Sequence, residues 1–310
     1  MLASNVGSFQ AALLDAGLLI PGAVRGIYGC NAVFEAVIAG FERLVNKVAR
    51  HDAAEYLRFP PVMSQKDLQK NGYFSVFPHF AGCVHCFMGD DADHRRLVGK
   101  LICEEDCGDE FQPSGVALVP AACYPIYPTL AARGLLPQGG LTIGVGSYCY
   151  RHEESADPAR QQSFRMNEFV RIGPPDRVAA FRELWLDRAK DICAQLQLSG
   201  RLDVANDPFF GDGGAKLAEQ QQDASLKFEM LIAAGPDREE RACMSFNAHH
   251  EHFAAIWNLR LPDGHLAHTA CVAFGMERVA LALLAQHGVD VEAWPKAVIA
   301  ALELEAGSIV

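Results

Sequence analysis

Charged residues are scarce in this 310-residue chain, at 21%, and basic ones are scarcer than acidic: 27 Lys and Arg against 38 Asp and Glu give a formal net charge of −11. That balance argues against broad, sequence-independent contact with a polyanion, which relies on many Lys and Arg releasing counterions from phosphates. No uninterrupted apolar run approaches the ~18 residues needed to cross a bilayer. Asp15 interrupts the apolar start, which also lacks the positive region of a secretory signal, so no membrane span and a cytoplasmic location are expected. Internal repeats and long low-complexity stretches are absent too. No Gly-x-x-x-x-Gly-Lys phosphate loop occurs, and Gly144-Val145-Gly146 lacks the third glycine and following helix of a dinucleotide-binding turn. His249, His250 and His252 lack the His-Glu-x-x-His spacing that puts two imidazoles on one helical face, so a polar helix surface is expected for them.

What is present is 50% hydrophobic content, enough for a substantial core. Ten cysteines in a chain of this size suggest buried thiols and a few metal ligands rather than disulfides. Cys83-Val84-His85-Cys86 has a zinc-ribbon spacing for which Cys103 and Cys107 are the candidate second pair, but the latter sit in an acidic, helix-compatible run that favours unliganded thiols. Across residues 31–50, Val33, Phe34, Val37, Ile38, Phe41, Leu44 and Val45 share one helical face. Extended sequence follows from Leu57 to Met63, where Pro60-Pro61 marks an edge or a strand end. Strand-like segments at 141–151, 164–172, 226–234, 241–247 and 265–274, separated by turn residues, predict a mainly antiparallel sheet. A final helix begins at Met276, with Met276, Val279, Ala280, Leu283 and Leu284 at helical spacing and Gly288 at the C-cap.

Three segments carry a resemblance: Tyr150-Arg151-His152-Glu153-Glu154-Ser155, Phe164-Arg165-Met166-Asn167-Glu168-Phe169, and Cys271-Val272-Ala273-Phe274-Gly275-Met276-Glu277-Arg278. Together they resemble motifs 2 and 3 of class II aminoacyl-tRNA synthetases, and the long helix running into a proline-bearing strand resembles motif 1, their dimer-forming element. Pro60 to Ser64, Asn71 to Phe74 and Phe77-Pro78 are similar to the seryl branch. The resemblance implies an α+β fold, a class II synthetase-like antiparallel sheet flanked by helices, in a homodimer that activates a carboxylate with ATP and Mg²⁺. Arginine suits that chemistry because its fork grips phosphate oxygens and stays charged. By resemblance, Arg151 holds the α-phosphate and the substrate carboxylate, Glu153 orients ATP, and Arg278 meets the base and the terminal phosphate. Arg165 and Phe169 fit the family's Arg-x-x-x-Phe pattern, with Phe169 stacking on adenine; Arg160 to Phe164 fits the same pattern.

Cys123 stands in Pro120-Ala121-Ala122-Cys123, where the segment is similar to the zinc-dependent, methanogen-type seryl enzymes. The resemblance implies a Zn²⁺ site of Cys123, Glu168 and Cys271, whose three protein ligands leave a position for a neutral α-amine. Lys227-Phe228-Glu229 resembles the seryl element before the amino-acid-binding glutamate, so Lys227 is expected at a phosphate and Glu229 at the substrate amine or its metal environment. The family's acidic Mg²⁺ position aligns near Cys243, which leaves Glu240 as a replacement.

The resemblance covers roughly residues 25–300, with residues 1–24 as an N-terminal extension and residues 25–310 as the catalytic domain, carrying a helical insertion at about 175–226. Almost nothing remains for a tRNA-binding arm. The core looks like that of the amino acid:carrier protein ligases, which implies glycine or alanine as substrate, a phosphopantetheinylated (holo) carrier protein as acceptor, and no tRNA. Seryl-type tRNA charging and a noncatalytic regulatory role are the alternatives. Carrier docking is expected on the polar segment between Asp207 and Lys227, or on an arm at 175–198 bearing Arg177, Arg182, Arg188 and Lys190.

Overall fold

The computed structural model describes residues 8–235 and 239–304. The chain opens with α1 (Ser8–Asp15), a hairpin of β1 (Leu19–Pro21) and β2 (Tyr28–Cys30), and α2 (Ala32–Val48). It continues through β3 (Glu55–Leu57), β4 (Val62–Ser64), α3 (Gln65–Lys70), α4 (Tyr73–Val76), β5 (Cys83–Phe87), α5 (Asp91–Ile102), β6 (Phe111–Leu118) and α6 (Ile126–Arg133). The second half holds β7 (Leu141–Tyr150), β8 (Ser163–Gly173), α7 (Pro175–Gln195), β9 (Gly200–Val204), α8 (Gly214–Asp223), β10 (Lys227–Ala233), β11 (Glu240–His250), α9 (His252–Trp257), β12 (His268–Gly275), α10 (Met276–His287) and α11 (Lys296–Ala301).

Seven strands form the main sheet in the order β3-β7-β8-β12-β11-β10-β9, and β4-β6-β5 make a smaller one. Every pair of the main sheet is antiparallel except β3 with β7, so the sheet is mixed. The parallel pair is possible because the whole small sheet and α6 lie between β3 and β7, long enough for a crossover that a hairpin cannot make. The extended stretch at 57–63 is accordingly not one strand. Pro60 and Pro61, with no N–H to donate, fall between β3 in one sheet and β4 in the other.

The two faces of the main sheet have different neighbours. Phe169, Val272, Phe274, Met244, Phe246, Met230 and Ile232 project into one core shared with α2, α7 and α10. Asn31 caps α2, accepting from the Phe34 N–H at 3.0 Å, and the helix buries Phe34, Val37, Ile38, Phe41, Leu44 and Val45. Gly40 lets the C-terminal segment press against α2, since a Cβ there would lie 2.5 Å from the Leu302 carbonyl oxygen. At the end of α10, Gly288 takes φ +94°, a left-handed value that favours glycine. The opposite face carries a second core of Ile143, Val145, Cys149, Val170 and Ile172 with α6 and α9, and an open cleft.

Other expectations meet the structure differently. The 175–226 insertion is not wholly helical: it contributes the edge strand β9, and α7 buries Val178, Phe181, Trp185, Ala189 and Ile192 in the main core. Arg188 of that arm pairs with Asp52 at 2.7 Å, and Arg182 donates to the Ser225 carbonyl at 2.8 Å, so neither guanidinium is free for a partner. The boundary at residues 24/25 falls in the turn of the β1–β2 hairpin, and Leu13, Leu18 and Leu19 belong to the main core. His249 and His250 end a strand and His252 begins a short helix, rather than sharing a polar helix surface. No helix among the described residues is long and apolar enough to cross a membrane.

Candidate active site

The cleft lies over β8, β12, β11 and β10, whose side chains set its floor. On β8, Phe164, Met166 and Glu168 line it; on β12, Cys271 and Ala273; on β11, Cys243, Ser245, Asn247 and His249; on β10, Lys227 and Glu229. Arg151 follows β7 directly, Arg278 lies in the first turn of α10, and both line the same cleft. The roof is aromatic. Tyr73, Phe77 and Phe80 line it, while Phe209 stacks on Phe77 at 5.2 Å and Phe210 on His79 at 5.2 Å.

Within the cleft Cys123, Glu168 and Cys271 come together, all at 5% exposure or less. Glu168 faces Ala273 across the β8–β12 pair, which makes Cys271 its diagonal neighbour. Cys123 arrives on the loop after β6 and donates its backbone N–H to Glu168 Oε1 at 3.2 Å. Burial, helped by the negative charge of Cys271, pushes the Glu168 carboxyl up to about 8. Contact with Cys123 holds Cys271 well below the usual thiol value, while the same contact and burial push Cys123 well above it. The fully buried Tyr127 hydroxyl, within electrostatic reach of these three groups, has no hydrogen-bond partner among the described residues. The chemistry of two sulfurs and a carboxylate brought together in one buried spot fits a zinc-like divalent metal. Among the described residues no group of three or more His, Cys, Asp or Glu side chains is placed to hold a metal ion as it stands.

The same cleft holds two arginines. Arg151 donates from Nε to the Pro120 carbonyl at 3.1 Å, and its guanidinium lies 5.4 Å from the centre of the Phe164 ring. Arg278 donates to the carbonyls of Ala159 at 2.8 Å and Ala242 at 2.9 Å. Both cations are thus fixed by neutral carbonyls rather than by carboxylates, which leaves their charge for an anionic ligand. Glu153 accepts from Arg160 at 2.5 Å on the same rim.

The structure does not bring Arg165 and Phe169 to this cleft, and both assignments are corrected. Phe169 is fully buried on the opposite face, stacked on Trp185 at 5.2 Å and edge-on to Tyr56 at 6.1 Å. Arg165 clamps the helical layer, pairing with Glu35 of α2 at 2.5 Å and Glu277 of α10 at 2.7 Å. The other match to Arg-x-x-x-Phe, Arg160 to Phe164, has its ring in the cleft. Lys227 lines the cleft but is engaged by Asp207 at 2.6 Å and Glu229 at 2.8 Å. Burial opposes its charge, yet these two carboxylates hold the ammonium above the ordinary lysine value. Its expected phosphate contact gives way to that ion triad. Glu240 is outside the cleft, accepting from Arg201 at 2.9 Å, and does not replace the missing Mg²⁺ carboxylate.

Sequence reasoning missed Asp207, Tyr73, Tyr127, Asn247 and His249. Asp207 carried no motif signal, and Tyr73 and Tyr127 lie in helices. Asn247 had one, since it alternates with Ser245 on the strand flanking Cys271, whereas His249 lies where the pairing register shifts.

No family model matches the chain. It is 45% identical to amino acid:acyl-carrier-protein ligase 1 of Bradyrhizobium diazoefficiens over 87% of its own length and 82% of that protein, and 43% identical to ligase 2 of the same organism over 88% and 81%. A type-2 serine–tRNA ligase of Methanopyrus kandleri is 28% identical over 70% of this chain and 42% of its own. Among solved structures, M. kandleri SerRS in complex with A. aeolicus tRNASec superposes with a TM-score of 0.81 at 22% identity, covering 98% of this chain and 61% of that one. Giardia lamblia prolyl-tRNA synthetase in complex with prolyl-adenylate superposes with a TM-score of 0.67 at 14% identity, over 90% and 52%. These two likenesses show a class II synthetase fold.

Proposed function

The chain belongs to the amino acid:acyl-carrier-protein ligase family, and from that premise we propose that it activates glycine or alanine with ATP and passes it to the phosphopantetheine thiol of a carrier protein. The observation that carries this reading is a single cleft that holds both the two carbonyl-fixed arginines and the Cys123, Glu168 and Cys271 donors. An amino acid spans that polarity, with its carboxylate towards the cations and its amine towards the donors.

In the first step a carboxylate oxygen attacks the α-phosphorus of Mg²⁺-bound ATP and pyrophosphate leaves. Arg151 neutralises the carboxylate and the α-phosphate, Arg278 the terminal phosphate, and Glu153 orients the nucleotide; Phe164 replaces Phe169 as the face for adenine. Fixed positive charge acts where charge develops, in a site that need not reorganise. In the second step the carrier's thiol sulfur attacks the adenylate carbonyl carbon, AMP leaves, and a thioester forms. No cysteine of this chain acts as nucleophile. Cys123, Glu168 and Cys271 would hold Zn²⁺, which supplies an electrophilic position for the neutral α-amine. Glu229, fixed by Lys227, faces the same substrate.

We assign the chain, with Leu13, Leu18 and Leu19 packed into its main core, as the catalytic domain of a cytoplasmic homodimer built on α2 and β3, and the carrier to the Asp207–Lys227 side of the cleft. The test is two-stage. ATP–pyrophosphate exchange across all amino acids should single out glycine or alanine, and the labelled amino acid should then appear on a holo carrier but not on its apo form. Robust charging of tRNA with no thioester on any holo carrier would overturn the reading in favour of the serine–tRNA ligase chemistry named for the more distant relatives.

A further inference from the structure

The pairing of β11 with β12 runs Asn247 opposite Cys271 and Ala248 opposite Ala270, then jumps to His250 opposite Thr269. His249 is therefore the extra residue of a β-bulge, and His250 takes φ +47° beside it. A bulge costs ladder hydrogen bonds, and next to a site it re-aims a side chain. Here the side chain is aimed at Cys271. His249 Nε2 lies 3.9 Å from Cys271 Sγ and Nδ1 lies 3.4 Å from the Thr269 hydroxyl, with Phe253 edge-on to the ring at 5.0 Å. Thr269 is fully buried. The tautomer that carries its proton on Nε2 satisfies both contacts, with Nε2–H towards sulfur and Nδ1 accepting from the hydroxyl. Asn247 supplies a second donor, Nδ2, to the same sulfur at 3.4 Å.

Resting on the zinc reading above, we infer that His249, aimed by the bulge and seconded by Asn247, is a positioning residue that fixes the Cys271 sulfur for metal binding. Groups that hold a ligand's remaining valence orient it and tune its basicity, and their loss costs about 10–100-fold in metal affinity. His249 does not itself complete the donor set. It acts through Cys271, with Thr269 holding the ring.

The test uses the full chain as purified, with zinc content by mass spectrometry, zinc affinity by chelator competition, and the thiolate-to-cobalt absorption of the Co²⁺-substituted protein. Wild type should hold one zinc. His249→Ala should bind zinc about 10–100-fold more weakly and show a shifted, weaker cobalt band. His249→Gln, which retains an N–H donor, should recover most of both. His250→Asn, which tolerates the left-handed backbone, should change neither. Wild-type zinc affinity and an unaltered cobalt band in His249→Ala would overturn the assignment while leaving the metal site intact. A wild-type chain that binds no zinc would instead remove the metal reading and this role with it.

Discussion

Phe164 and Phe169 make the sharpest test of the site, because they are five residues apart on one strand and the structure puts them on opposite faces. Phe164 lines the cleft beside Arg151 and is only half-buried. Stacking of a base on an aromatic ring contributes about 1–3 kcal/mol by alanine substitution. Phe164→Ala should therefore raise the KM for ATP by about 5- to 150-fold in pyrophosphate exchange, at 1.36 kcal/mol per decade. kcat should change little, since the lost contact serves ground and transition states alike. The melting temperature should also move little. Phe169→Ala should do the reverse. Its ring is wholly enclosed between Trp185 and Tyr56, and removing such a ring costs about 3–5 kcal/mol of stability. The melting temperature should fall by on the order of 10 °C, with KM for ATP near wild type in the folded fraction; the milder Phe169→Leu keeps this arm measurable. An unchanged KM in Phe164→Ala, or a raised KM at unchanged stability in Phe169→Ala, would refute the assignment of faces.

Arg151→Ala and Arg278→Ala should each lower the rate of pyrophosphate exchange about 100-fold or more, as loss of one fixed electrostatic group does elsewhere, with circular dichroism unchanged; near-wild-type exchange in both would remove the phosphate assignment. Cys271→Ala should lose zinc and amino-acid activation together, whereas Cys83→Ser/Cys86→Ser, altering exposed thiols of the small sheet, should keep both; full activation by metal-free protein is the contrary outcome. Glu110 is held by Arg96 and Lys100 down to about 2, from an ordinary 4.5, so its contribution is complete above pH 4.5 and is lost as pH falls towards 2. Glu110→Gln should flatten the melting temperature over that interval, and an unaltered acid slope would show that the pair does not anchor α5 to β6.

Much of the fold was legible because its long elements repeat one period throughout. The apolar face of α2, the alternation along β7, β8, β11 and β12, and the Met276 helix with its glycine stop each followed from local pattern. Tertiary partners were less legible. Nothing local says that β3 joins the main sheet in parallel while β4, five residues on, joins another. Nor does α7 announce its depth: Arg182 and Arg188 suggest a solvated arm, yet Trp185 lies between them, fully buried, and Arg188 closes on Asp52. Lys227 illustrates the same limit for charge, since the carboxylate that engages it, Asp207, comes from a loop twenty residues away.

The error over adenine could have been avoided from the sequence, by parity alone. Successive residues of a strand point to opposite faces, so a shift by an odd number of residues reverses the face. The two matches to Arg-x-x-x-Phe, starting at Arg160 and at Arg165, differ by five, and only one of them can put its phenylalanine on the ligand side. Glu168 decides which. If Glu168 faces the cleft as a donor, its neighbour Phe169 cannot also face it, whereas Phe164, four residues back, must. The structure obeys that parity: Phe164, Met166 and Glu168 line the cleft, while Phe169 enters the helical core. The same rule, applied to β11, places Asn247 on the side of Cys271, its cross-strand partner. It also shows what the bulge does, since His249 is the one residue there whose direction the strand's period leaves open and the site itself fixes.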